Sequence, residues 1–272
     1  MTGFSASFRA EASDLSRSLL FWLGLAATAA AAWLFGRPGA GTTNGWLVFQ
    51  AGARGGAQAA GFFLLGLSAV SVASERTRGT VRWILPRPIG RAGFVLGKAA
   101  AHATAAAGLL AVCLLVAWLG ARGRGFGDVL VETGFDFGDA MPADPEFSAA
   151  VLSRRSMGAA LLLLPALLMA TGLGILVSCL ARSSAAAVIV ALAVAIPLLF
   201  LPEILGLSRE TARLLPFRAA DEFLTRLADF ARALSGEPWP RYGAGPLATA
   251  VACAAGLPIL GSLLFRRLDL TD

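Results

Sequence analysis

The stretch Gly93-Phe-Val-Leu-Gly-Lys98 has the outline of a phosphate-binding loop. That motif needs four residues between its glycines and a Ser or Thr after the lysine, so that backbone amides cradle phosphate and a hydroxyl reaches Mg2+. Here only Phe-Val-Leu separates the glycines, and Ala99 follows Lys98. No strand pattern precedes it, so any ATP must be hydrolysed by another chain. His102 is the only histidine. A metal site or proton relay would need a carboxylate beside it, and its own apolar stretch supplies none; a neutral, hydrogen-bonded imidazole is the expectation. Cys113, Cys179 and Cys253 also lie in apolar stretches, an odd set without zinc-type spacing or a disulfide framework. Between positions 121 and 155, Asp128, Glu132, Asp136, Asp139, Asp144 and Glu146 could gather around calcium or a basic substrate. Their spacing matches no standard calcium loop, and the glycines and prolines among them read as a solvated connection. A Gly-x-Ser-x-Gly elbow, a His-rich motif and paired acids in an apolar stretch are all missing, which counts against a hydrolase.

The segment 75–98 is the most informative. It runs Glu75-Arg-Thr-Arg-Gly-Thr-Val-Arg-Trp-Ile-Leu-Pro-Arg-Pro-Ile-Gly-Arg-Ala-Gly-Phe-Val-Leu-Gly-Lys98. It reads as a short helix ending at Pro86, a turn through Pro88 and Gly90, and an apolar ramp beyond. Val81, Trp83, Ile84 and Leu85 would lie inward, leaving Arg76, Arg78, Arg82 and Arg87 to face water. Such a basic ledge suits an acidic partner. A purely orienting, positively charged anchor would have the same composition.

The elements that must hold this segment are apolar. Six stretches are long enough to cross a bilayer: 18–36, 55–74, 99–120, 156–181, 183–202 and 242–265. None contains Asp, Glu, Lys or Arg. With 57% hydrophobic residues, 15% charged residues and a mean hydropathy of +0.71, the chain is an integral membrane protein and not a soluble enzyme. The net charge of +6 then speaks for an anionic membrane surface or an acidic partner, not for nucleic acid. Six crossings put both termini on one side. With those termini cytoplasmic, the inner segments hold 11 Lys or Arg in 49 residues against 12 in 92 outside, a density that favours this orientation. Lys98 is the one lysine among 23 basic residues, which reads as codon bias. Two amphipathic stretches flank the spans. Phe4, Phe8 and Leu15 share a face, with Arg9, Glu11 and Asp14 elsewhere, as in a helix lying in the interface. Positions 219–234 repeat apolar residues at helical spacing before the last span. Pro165, Pro197 and Pro258 interrupt the last three spans, and Gly172 with Gly174 loosens the fourth.

Glu75, Gly79-Thr80, Ile84-Leu85, Pro88-Ile-Gly-Arg91 and Gly97-Lys98 together resemble the first cytoplasmic loop of the type-2 ABC exporter permeases. In that family the loop forms the coupling helix. The likeness extends more loosely over the whole chain, including the entry helix at 1–17, the small-residue turn Ala181-Arg-Ser-Ser184 and the basic Arg266-Arg267. Many members carry a second acidic residue soon after the first; Thr77 and Arg82 stand in the corresponding places. The resemblance implies an all-α fold: an N-terminal interfacial helix, then a single permease domain over 18–272 with six transmembrane helices and a cytoplasmic coupling helix within 75–98. It implies pairing as a homodimer or with a related permease, in a bacterial inner membrane, on separate ATPase subunits that bind ATP and Mg. Glu75, Arg76, Arg78, Gly79, Thr80, Arg82, Leu85, Pro88, Arg91 and Lys98 become the residues expected to meet the ATPase. Glu75 would pair at the docking site or anchor the start of the coupling helix, Gly79 would permit close approach, and Pro88 would fix the turn. The pathway would run past the small face Gly61, Ser68 and Ser71 of the second span. With no charge inside the spans, an amphiphilic or apolar substrate is expected. An intramembrane enzyme or a non-transporting scaffold subunit is the alternative. A transporter driven by an ion gradient would show intramembrane charge or internally related broken helices, and the sequence has neither.

Overall fold

A computed structural model describes residues 3–37, 45–80, 90–126, 163–206 and 244–267, with positions 149, 150, 153, 156, 157 and 160. The described residues form helices throughout: α1 Gly3–Arg17, α2 Leu19–Phe35, α3 Gly45–Thr77, α4 Arg91–Ala121, α5 Leu163–Leu180, α6 Ser184–Ile204 and α7 Ala244–Arg267. A short 3-10 turn, Arg122–Arg124, closes α4. At 1.5 Å per residue, α3 and α4 are each about 45–50 Å long, well beyond the roughly 30 Å of a hydrocarbon core. They begin earlier in sequence than the apolar stretches inside them.

α3 is the central helix and packs on α2, α4, α5 and α6. Leu64 with Leu109 and Leu163 fills one side of it, and Leu65, Ala69 and Ala73 meet Ala187, Ala191 and Ala195 of α6 on another. At one end of the bundle Val72, Phe94, Val95, Ile175 and Phe265 draw α3, α4, α5 and α7 together. At the other end the Gly45 amide donates to the Gly125 carbonyl at 3.0 Å, and Trp46 meets Phe126 edge-on. Large apolar residues remain outside: Leu19, Leu20, Trp22 and Leu23 on α2, Ile189 and Val190 on α6, and Ile259, Leu260 and Leu263 on α7. That much apolar surface needs lipid as its solvent. The chain is a multi-pass, all-α membrane protein.

Among the described residues four helices are long and apolar enough to span a bilayer, or five if α1 and α2 count as one bent element. The four are α3, α4, α5 and α7; α2 has 17 residues and joins α1 across a 66° bend, and α6 runs over the 21 residues Ser184–Ile204. The expected segment 219–234 and most of 121–155 lie outside the described residues.

Close packing depends on glycine at a few places. A Cβ on Gly174 would run into Ser68, Leu65 and Ala69, and one on Gly172 would meet Pro258 and Leu257 at 3.1–3.4 Å. The two glycines therefore seat α3 and α7 on α5 rather than loosening it, and α7 continues through Pro258. Gly93 and Gly97, four apart on α4, do the same for α1. A Cβ at Gly97 would stand 2.7 Å from the Phe4 carbonyl oxygen and 2.8 Å from Ser7 Cβ. Small residues at this spacing let two backbones approach. The stretch that resembles a nucleotide loop is a helix-crossing notch. Gly97→Val should thus lower stability by about 1–3 kcal/mol through overpacking, while Gly108→Ala, where no atom lies within 4 Å of the added Cβ, should raise it by up to about 1 kcal/mol. Thermal unfolding of the detergent-solubilised protein distinguishes the two.

Candidate functional site

The signature Glu75, Gly79, Thr80 is a helix stop. The Thr80 amide donates to the Glu75 carbonyl and the Gly79 amide to the Arg76 carbonyl, each at 3.0 Å. Gly79 has a φ of 70°. This is the Schellman arrangement, in which a left-handed residue just past the helix satisfies its last carbonyls. The positive φ of Gly79 is a backbone conformation that favours glycine. Glu75 belongs to the last turn of α3. A carboxylate there opposes the helix dipole. The Thr80 hydroxyl bonds to one of its oxygens, and Lys98 Nζ lies 3.6 Å from the other.

Lys98 is 4% exposed, about 10 Å along α4 from Arg91. Its ammonium pairs with Glu11 of α1, itself 7% exposed, and sits 5.3 Å from the centre of the Phe94 ring. Glu11 Oε2 takes the lysine, while its Oε1 accepts a 2.6 Å hydrogen bond from the Ser71 hydroxyl of α3. His102 Nδ1 stands 3.1 Å from the Lys98 carbonyl oxygen and 3.7 Å from Glu11 Oε1. Glu11, Lys98 and Glu75 thus link α1, α4 and α3 inside the bundle end, with Ser71, Thr80 and His102 around them.

Two expectations are corrected here. The buried face of α1 is Ser7, Glu11 and Leu15, not a face that leaves Glu11 outside. The carboxylate missing from the His102 stretch is supplied by a different helix. Both follow from α1 folding back onto α4, where Ser7 Oγ donates to the Phe94 carbonyl at 2.8 Å. Charge does enter the bundle, but as a matched pair.

The other expected site residues separate into groups. Arg76 reaches the Cys179 and Ala181 carbonyls at 3.1 Å and caps the end of α5. Arg91 similarly donates to the Arg266 carbonyl at the end of α7, at 3.0 Å. Arg78 is exposed. Arg82, Leu85 and Pro88 lie outside the described residues. Of the expected pathway face, Ser68 is fully buried against Gly174 and donates to the Leu64 carbonyl at 2.6 Å, and Ser71 is spent on Glu11. Gly61 is half-buried, with Leu167 as its nearest neighbour. Among the described residues no three His, Cys, Asp or Glu side chains gather as a metal site. Two signals for the missed residues stand in the sequence: the single lysine in a chain that otherwise uses arginine, and the Gly93–Gly97 spacing.

The apolar exterior and the spanning helices define a multi-pass, all-α membrane protein. A family model described as ABC-2 family transporter protein matches residues 29–270, and the chain belongs to that family. No curated protein matches it in sequence.

The pair makes an energetic prediction. Lys98→Met leaves a buried carboxylate without its counter-ion and should cost about 3–5 kcal/mol. Adding Glu11→Gln removes the unpaired charge, so the double variant should regain most of that loss. Thermal melts of the three proteins in one detergent test this, and equal destabilisation of single and double variants would contradict it.

Proposed function

We propose that this chain is the transmembrane subunit of an ATP-driven exporter, energised by a separate ATPase subunit that docks where α3 ends and α4 begins. The observation that carries this reading is the helix stop at Glu75, Gly79 and Thr80, set in a chain of the ABC-2 family. It ends a long spanning helix abruptly, so the following loop starts from a rigid support. Arg78 and the neighbouring arginines 82 and 87 give that loop a basic surface for an acidic partner. The ATPase contacts would comprise Arg78, Gly79, Thr80, Arg82, Leu85, Pro88 and Arg91, with Glu75, Arg76 and Lys98 holding the ends of the loop in place. ATP and Mg would reside on the partner.

In this reading the Lys98 end of the bundle faces the cytoplasm, α1 lies in the membrane interface, and the helices α2 to α7 make six crossings of a bacterial inner membrane. The density of basic residues supports the orientation. The permease pairs with a second copy or a related chain, and the route opens on closure of the ATPases. An amphiphilic or apolar substrate is favoured because the six apolar stretches contain no Asp, Glu, Lys or Arg. The buried charges Glu11 and Lys98 are spent on each other.

Purification from native membranes should bring down a stoichiometric companion with a true phosphate-binding loop. Glu75→Gln should leave membrane insertion and companion binding intact while lowering ATPase turnover of the complex several-fold, about 1 kcal/mol in the coupled step. A well-folded preparation without such a companion would move the scaffold reading ahead.

A further inference from the structure

The buried cluster does more than hold a helix in place. Lys98 on α4 is shared by two carboxylates from different elements: Glu11 in the middle of α1 and Glu75 in the last turn of α3. Ser71, one turn before Glu75 on the same face of α3, holds the second oxygen of Glu11. α1 is therefore tied to α3 and α4 through one polar knot. Backbone contact adds to it, because Gly93 and Gly97 leave no compliant side chain between α1 and α4.

The connection of α1 to α2 is different in kind. The two helices meet at 66°, and Ser18 between them is extended, with φ −74° and ψ 122°. A hydrogen bond from Trp22 Nε1 to the Ser16 carbonyl, at 2.9 Å, spans the corner. α1 packs chiefly on α4, with little contact to α2. Its main support is α4, and side chains tie it to α3 through the Glu11–Ser71 hydrogen bond and the packing of Leu15 on Leu67.

We infer that Glu11 is a positioning residue of ATP coupling, which through the shared Lys98 makes the entry helix α1 move with the end of α3 and deliver that motion to α2 across Ser18. This rests on the permease reading above. A carboxylate on α3 displaced by the loop would change its distance to Lys98. The ammonium would respond by shifting between its two partners, and Glu11 carries that shift into α1. The charge is buried, so water cannot absorb the change.

Hydrogen–deuterium exchange on the full chain in nanodiscs, with the ATPase subunit that co-purifies, tests this with and without ATP plus orthovanadate. In the wild type, exchange should change both at 75–80 and at 3–17. In Glu11→Gln the response at 75–80 should persist while that at 3–17 falls at least about threefold. Ser71→Ala, which keeps both charges and removes only the hydroxyl on Glu11, should weaken the α1 response in the same direction if Glu11→Gln does not fold. A wild-type response confined to 75–80, or an unaltered α1 response in both variants, would overturn the inference and leave the permease reading standing. Silence at both segments in a complex that hydrolyses ATP would remove both.

Discussion

The arrangement of this protein turns on one ion pair, between Glu11 and Lys98. Removing two charges from water costs several kcal/mol per ion, and the pair is tolerated only when its geometry is good and its remaining hydrogen-bonding capacity is met. Here Ser71 meets the second oxygen of Glu11, and Glu75 provides further negative charge near the ammonium. Those demands specify which face of α1 turns inward and how far along α4 it sits. A slip of one helical turn would take the buried Glu11 away from its counter-ion and leave Lys98 with Glu75 alone.

Around that pair, the ends of the spanning helices are finished by polar groups from their neighbours. Each helix leaves its last carbonyls unsatisfied. α3 resolves this locally with Gly79, α5 borrows Arg76 from α3, and α7 borrows Arg91 from α4. Inside the bundle the Ser178 hydroxyl accepts from the Val72 and Ala73 amides, both at 2.9 Å, which ties α3 to α5 at the same level. Arg76, one of the arginines that look like a water-facing ledge in sequence, is therefore structural.

The rest of the bundle follows membrane rules. Leucines and isoleucines such as Leu19, Leu23, Ile189 and Ile259 face outward, where lipid is as good an environment as a core, while glycine, alanine and serine line the closest crossings. Without a hydrophobic force to draw helices together, close backbone approach and hydrogen bonds carry association. Gly97 beneath α1, Gly174 beneath Ser68 and Gly172 beneath Pro258 are three instances of the same solution. A glycine in the fourth apolar stretch that suggests looseness in a linear reading is, in three dimensions, a point of tight contact.

Sequence by itself determined the solvent of this protein, its all-helical class and the whereabouts of its distinctive signature. Those properties follow from composition and local spacing: long uncharged apolar runs can satisfy their backbones in lipid only as helices in this setting, whereas the role of Gly79 as a helix stop came from the structure. Tertiary structure decided what the polar residues do. Glu11 and Lys98 are separated by 87 positions, and nothing in the periodicity of α1 says that its buried face contains a carboxylate, because the amphipathic pattern of Phe4, Phe8 and Leu15 is equally satisfied by lipid. Only the 66° turn at Ser18 and the glycine notch on α4 bring the two charges together. The pairing is a long-range electrostatic match, and its energy exists only once the helices have met.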